Sequence, residues 1–143
     1  MQVARSALVP FRAARMFDLV NDVARYPERF NWCTAAEVID SGEDFQLARL
    51  TLKLAGMSTT FATRNTLDRP HRIGLALAEG PFRSLGGSWQ FLDLDDSGSK
   101  VSLNLDFEFA TGLLGMALRQ GFSRLADRLV DDFVQCAFDE LTR

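Results

Sequence analysis

The chain holds one histidine, two cysteines, one tyrosine and four prolines among 143 residues. His71, Cys33 and Cys136 stand too far apart to form the close-spaced ligand set of a zinc site, so no metal is expected. No GxSxG, GxGxxG or Walker pattern occurs, which removes nucleophile-elbow and phosphate-loop chemistry. No apolar run approaches membrane-spanning length, and Arg5, Pro10 and Arg12 interrupt any secretory apolar region. The formal net charge is -3, which offers no electrostatic footprint for nucleic acid, and DNA is not expected as a partner. These absences together predict a cytoplasmic protein with reduced thiols.

In excess are the phenylalanines, twelve against the single tyrosine. Phenylalanine fills space without a polar handle, which suits a solid core and equally the wall of an apolar cavity. The length fits one domain over 1–143. Charge is uneven. Residues 1–30 carry Arg5, Arg12, Arg15, Arg25 and Arg29 against Asp18, Asp22 and Glu28. Such a face is a solvated surface or a weak docking patch, and it is the one feature that would suit transient contact with a membrane surface.

The last proline is Pro81, so nothing blocks a helix over Thr111–Leu141. Apolar residues there recur at 114, 118, 122, 125, 129, 133 and 137, the spacing of an amphipathic helix. Upstream, Gln2–Val9 reads as a strand that Pro10 stops. Ala13–Asn21 and Ala24–Phe30 read as short helices. Strands follow over 34–40, 45–54, 57–67, 72–79, 85–94 and 101–109, each bounded by turn residues. The last is the cleanest, with Val101, Leu103, Leu105, Phe107 and Phe109 on one face and Ser102, Asn104, Asp106 and Glu108 on the other. A run of strands closed by a helix is α+β. About seven antiparallel strands will twist and curl, and the long helix can lie in their concave face.

Chemistry finds little support. Asp106 and Glu108 lie on the polar face of a strand, His71 follows a turn proline, and Cys33 has no adjacent base. No catalytic residue is assigned and no cofactor is required. Trp32, Phe61, Phe82, Trp89, Phe91, Phe107, Leu114, Leu118, Phe122 and Leu129 can face the space between sheet and helix. They either fill it or line a ligand cavity with a few placed polar groups, for which Arg64, Asn65 and Gln90 are candidates.

Asn21-Asp22-Val23 with Tyr26-Pro27, Cys33-Thr34, Thr63-Arg64-Asn65, Gly80-Pro81-Phe82 followed by Leu85, Gly87, Trp89 and Phe91, and Leu105-Asp106-Phe107-Glu108-Phe109 come in a recognisable order. Over essentially the whole length the sequence resembles the RatA ribosome association toxin and coenzyme Q-binding START-like family, polyketide cyclase-like proteins of the helix-grip (START/Bet v 1-like) fold. The resemblance implies a curved sheet around a C-terminal helix and an apolar tunnel that holds ubiquinone or another isoprenoid lipid in support of respiration. It also implies, for some bacterial members, binding to the large ribosomal subunit and blocked subunit association. Relatives on the fold include cyclases and dehydratases. Gly80, Pro81 and Leu85 correspond to a cavity rim. Two positions depart from the family pattern: Asn31, where proline is common, and Cys136, where arginine is common.

Gly112, Gly115 and Gly121 fall in the first third of the expected helix, and each glycine weakens a helix by up to about 1 kcal/mol relative to alanine. They predict a gate over a cavity mouth at 111–122, with an anchor from about Leu125 onward. Amide exchange should be faster over 112–122 than around Phe133; equal protection would remove the gate.

Overall fold

The computed structural model describes residues 1–54, 56–95, 98–109 and 112–142, with side chains in the last helix from 115 onward. The expected helix start at Thr111 and the Leu114 side chain lie outside the described residues. The elements run β1 (Gln2–Val9), α1 (Ala13–Asn21), a 3-10 turn (Val23–Arg25), α2 (Tyr26–Arg29), β2 (Cys33–Ser41), β3 (Phe45–Leu54), β4 (Met57–Asp68), β5 (Arg72–Glu79), β6 (Phe82–Asp93), β7 (Ser99–Phe109) and α3 (Leu113–Leu141). All strand pairs are antiparallel, in the order β1-β7-β6-β5-β4-β3-β2. The fold is α+β, a seven-stranded curved sheet around one long helix. Because β1 and β2 occupy opposite edges, the α1–α2 segment must carry the chain from one edge to the other.

Two expected elements differ. The second short helix, expected over Ala24–Phe30, divides into a 3-10 turn and a single α-helical turn. Pro27 sits in the first turn of α2, where a missing N–H is tolerated. Strand β6 begins at Phe82, three residues before the expected Leu85. Gly80-Pro81 reads as a turn, and a bulge between Phe82 and Ser84 hides the alternation that continues on its far side.

Inward residues of β7 alternate cleanly, and Val101, Leu103 and Phe107 have no measurable exposure. Burying a side chain such as Phe107 contributes roughly 1.5–3 kcal/mol. The buried stripe of α3 runs through Leu118, Phe122, Leu125, Ala126, Val130, Phe133 and Ala137. The 29-residue helix is continuous through Gly115 and Gly121. Polar links fasten its edges. Arg5 of β1 reaches Asp127 at 3.1 Å, Arg15 of α1 donates to the Leu141 carbonyl at 2.9 Å, and Trp32 Nε1 donates to Asp132 at 2.9 Å.

Where β5, β6 and β7 run side by side, the convex face carries several small residues. Gly86 lies between Asp106 and Ala76, and Ser88 between Asn104 and Gly74. Gly87 has φ of +153°, and a Cβ there would meet the Asn104 carbonyl oxygen at 2.0 Å. A Cβ at Gly86 would meet only the Leu75 oxygen, at 3.6 Å. Gly87→Ala should therefore destabilise the chain by about 2–4 kcal/mol, whereas Gly86→Ala should change stability by about 1 kcal/mol or less. Urea titration of both variants checks this, and equal effects would mean that the bend at Gly87 does not hold the curvature.

Candidate functional site

Strand alternation decides which side chains look into the concavity. On β3 these are Gln46, Ala48, Leu50, Leu52 and Leu54, and on β4 Thr59, Phe61, Thr63 and Asn65; the register sets Gln46 beside Asn65 and Leu50 beside Phe61. Strand β5 adds Leu75 opposite Asn65, and β6 adds Leu85 and Trp89. Across from them lie Phe122, Leu125, Leu129 and Phe133 of α3. These surfaces do not meet everywhere. They leave an apolar cavity of about 100 Å³, and none of its described lining residues is charged.

Of the side chains expected at such a cavity, Trp32, Phe61, Trp89, Phe122 and Leu129 line it. Phe82, Phe91, Phe107 and Leu118 are buried in the close packing around it instead. Phe82 lies 4.2 Å from Phe109 and 5.1 Å from Phe122, ring centre to ring centre. Phe107 lies 4.8 Å from Phe122, and Phe91 meets Phe17 of α1 at 5.7 Å. Of the expected rim, Leu85 lines the cavity. Gly80 and Pro81 form the turn behind it, where a Cβ on Gly80 would come within 2.5 Å of Phe61 Cβ. That turn backs a wall residue without reaching the cavity.

Three polar side chains were candidates for the lining, and only Asn65 turns inward. Arg64 points out and stacks over the Phe45 ring at 4.4 Å. Gln90 is exposed on the convex face. Asn65 belongs to a buried polar set that the sequence reading did not assemble: Thr63 Oγ1 donates to Asn65 Oδ1 at 2.8 Å, Asn65 Nδ2 to Gln46 Oε1 at 3.4 Å, and Gln46 Nε2 to the Asn21 carbonyl at 3.3 Å. The available signal was the phase of β4. With Phe61 inward, Thr63 and Asn65 must follow.

A second concavity, an open groove of about 600 Å³, runs between α2 and the C-terminal half of α3. Most of its charges are paired. Arg29 is nearly buried against Glu140, with Nε 2.6 Å from Oε2 and Nη2 donating to Oε1 at 3.1 Å. Arg25 also reaches Glu140, at 3.5 Å. The Cys136 thiol donates to Glu140 at 3.0 Å. Burial, and then that carboxylate, push Cys136 up to about 12, while the same thiol contact and Arg29 hold Glu140 below the usual carboxylate range. Burial pushes Cys33 up to about 11. Both cysteines are therefore neutral thiols near pH 7 and poor nucleophiles. Among the described residues no three His, Cys, Asp or Glu side chains cluster to hold a metal ion. No described helix is long and apolar enough to cross a membrane.

Comparison with known proteins supplies the kinship. A family model described as polyketide cyclase / dehydrase and lipid transport matches residues 9–134. The ribosome association toxin RatA of Vibrio cholerae is 42% identical over 136 residues, which cover 95% of this chain and 94% of that protein. The mitochondrial coenzyme Q-binding protein coq10 of Schizosaccharomyces pombe is 29% identical over 138 residues, covering 92% of this chain and 84% of that protein. The crystal structure of the Zhui aromatase/cyclase from Streptomyces sp. R1128 superposes with a TM-score of 0.86 at 20% identity, covering 99% of this chain and 95% of that one. The curved sheet, the gripping helix and these matches make the chain a member of the START-like polyketide cyclase / dehydrase and lipid transport family.

Proposed function

We propose that this chain is a non-catalytic binding protein for a hydrophobic small molecule, with ubiquinone or another isoprenoid lipid as the ligand class. The observation that carries this reading is the uncharged cavity walled by Trp32, Phe61, Trp89 and Phe122 at the place where helix and sheet fail to meet. Domain interiors are normally close-packed, and ligand sites are mostly apolar concavities. The kinship to a protein named for coenzyme Q binding agrees with it. At about 100 Å³ the cavity holds a fragment of such a ligand. Loading then requires α3 to move away from β4–β6, which is the role given to the glycine-bearing segment 112–122.

A second reading is association with the large ribosomal subunit, favoured by the 42% identity to a ribosome association toxin. Phosphate contacts dominate affinity for RNA and need available cations. Most N-terminal arginines are poor candidates, since Arg5 pairs with Asp127, Arg12 with Asp93, Arg25 with Glu28 and Glu140, and Arg29 with Glu140, while Arg15 is held on the Leu141 carbonyl. Arg119 and Arg124, exposed on α3 beside Met1 and Met116, have no ion-pair partner within 4 Å among the described residues and are the better ones.

Organic extraction of natively purified protein followed by mass spectrometry should release an isoprenoid quinone or a related neutral lipid. An empty extract, together with no binding of added ubiquinone, would reject the first reading. For the second, overexpression should lower the monosome peak and raise free subunits on sucrose gradients, and the Arg119→Ala/Arg124→Ala double variant should lose the effect. An unchanged profile with the parent sequence would reject it.

A further inference from the structure

The apolar cavity is polar at one end. There Thr63 and Asn65 line the wall, with Gln46 beside Asn65, and the three are 8%, 5% and 7% exposed. Their mutual bonds do not exhaust them. A primary amide offers two N–H donors and a carbonyl oxygen. Asn65 Nδ2 gives one N–H to Gln46 at 3.4 Å, and Gln46 Nε2 gives one to the Asn21 carbonyl at 3.3 Å, so each keeps a second N–H. Thr63 donates its hydroxyl proton to Asn65 and keeps its lone pairs. Asn21 Oδ1 is fully buried with no protein partner. Asn21, Gln46 and Asn65 line a small void of about 30 Å³, which shares Val23, Tyr26, Asn65, Leu75 and Trp89 with the main cavity, and Thr63 lies beside it in the main cavity wall. A void of that size accommodates one oxygen-bearing group.

Each buried polar group left without a partner costs about 1–3 kcal/mol, and bonds of 3.3–3.4 Å lie beyond the usual range. A row of leucines would pack the same strands without that cost. The geometry points to a head-group site: Asn21, Gln46, Thr63 and Asn65 select a ligand whose apolar body lies in the main cavity and whose head is an uncharged carbonyl or hydroxyl oxygen. This rests on the ligand-binding reading above and narrows it. The free N–H groups match a carbonyl acceptor, and the lone pairs of Asn21 and Thr63 match a hydroxyl donor. A carboxylate is disfavoured, because none of the described residues lining either space is cationic and a buried unpaired charge is strongly penalised.

Calorimetric titration of the full-length chain at pH 7.5 with three probes of one carbon skeleton tests this. 4-Phenylbutan-2-one carries a ketone, 4-phenylbutanoate a carboxylate, and n-butylbenzene no head group. The ketone should bind at least about tenfold more tightly than the carboxylate. Asn65→Leu should weaken the ketone about tenfold relative to butylbenzene. Thr63→Val, which keeps shape and strand propensity but removes the bond that orients the Asn65 amide, should weaken the ketone in the same direction and serves if Asn65→Leu does not fold. Butylbenzene binding with no ketone preference, or equal effects of the variants on both neutral probes, would overturn the head-group site and leave the cavity reading standing. Failure of every probe to bind would overturn both.

Discussion

A helix presents one apolar stripe, whereas a seven-stranded sheet presents a concave face several times wider. One can cover the other only if the sheet curls until its edges approach the helix. That requirement governs the rest of the molecule. Curl draws the inner side chains together and spreads the outer ones, and the bulk lies inside because only that face is buried against the helix. Leu103, Phe107, Trp89 and Phe61 are inside, and Gly74, Gly86, Ser88 and Ala76 are outside. Gly87 marks the bend on the inner side, in line with Leu75 and Leu105, and its φ and its approach to the Asn104 carbonyl permit no side chain. The edges are then tied to the helix by polar contacts, Arg5 to Asp127 on one side and Trp32 to Asp132 on the other.

The same geometry explains where packing is incomplete. Near β7 and α1 the walls approach closely, and rings such as Phe107, Phe82 and Phe91 find ring partners within 6 Å. Farther along, β3, β4 and β5 swing away from α3, and the space is bridged from both sides without closing. The void is thus a consequence of spanning a wide sheet with one cylinder. Its chemistry is not such a consequence. Nothing in the curl demands Gln46, Thr63 and Asn65 in place of aliphatic residues.

How much of this is legible in the sequence follows from the same contrast. Alternation over Val101–Phe109 and the three-to-four spacing after Gly112 are local, so the strands, the helix and their order can be read directly. Strand β3 and strand β5 have the bounds that alternation predicts. Strand β4 is harder, because Thr60, Thr66, Thr63 and Asn65 put polar residues on both faces. Phe61, in phase with Thr63 and Asn65, and Arg64, out of phase with them, fix which face is inward. The division of aromatics between cavity wall and solid core is not local at all. Phe82 and Phe107 are in phase with the interior, as Phe61 is, but their fate depends on reaching Phe122 and Phe109 in other elements. The Glu140 cluster is equally invisible, since Arg29 and Cys136 meet there from opposite ends of the chain.

The two readings of function converge on one segment. Between Leu118 and Arg124, α3 turns Leu118 and Phe122 toward the sheet and Arg119 and Arg124 toward solvent. Any displacement of this turn that admits a ligand also moves the two arginines, because a helix carries its faces together. A ligand shifts such an equilibrium only by the difference in its affinity for the two positions. A small apolar body that fits the closed cavity has little such difference. A longer chain that must pass beneath the helix has a large one. Ligand length, more than head-group chemistry, would then set how strongly an occupied cavity is felt at the outer face of α3. A surface role and a binding role in one chain need not be separate activities.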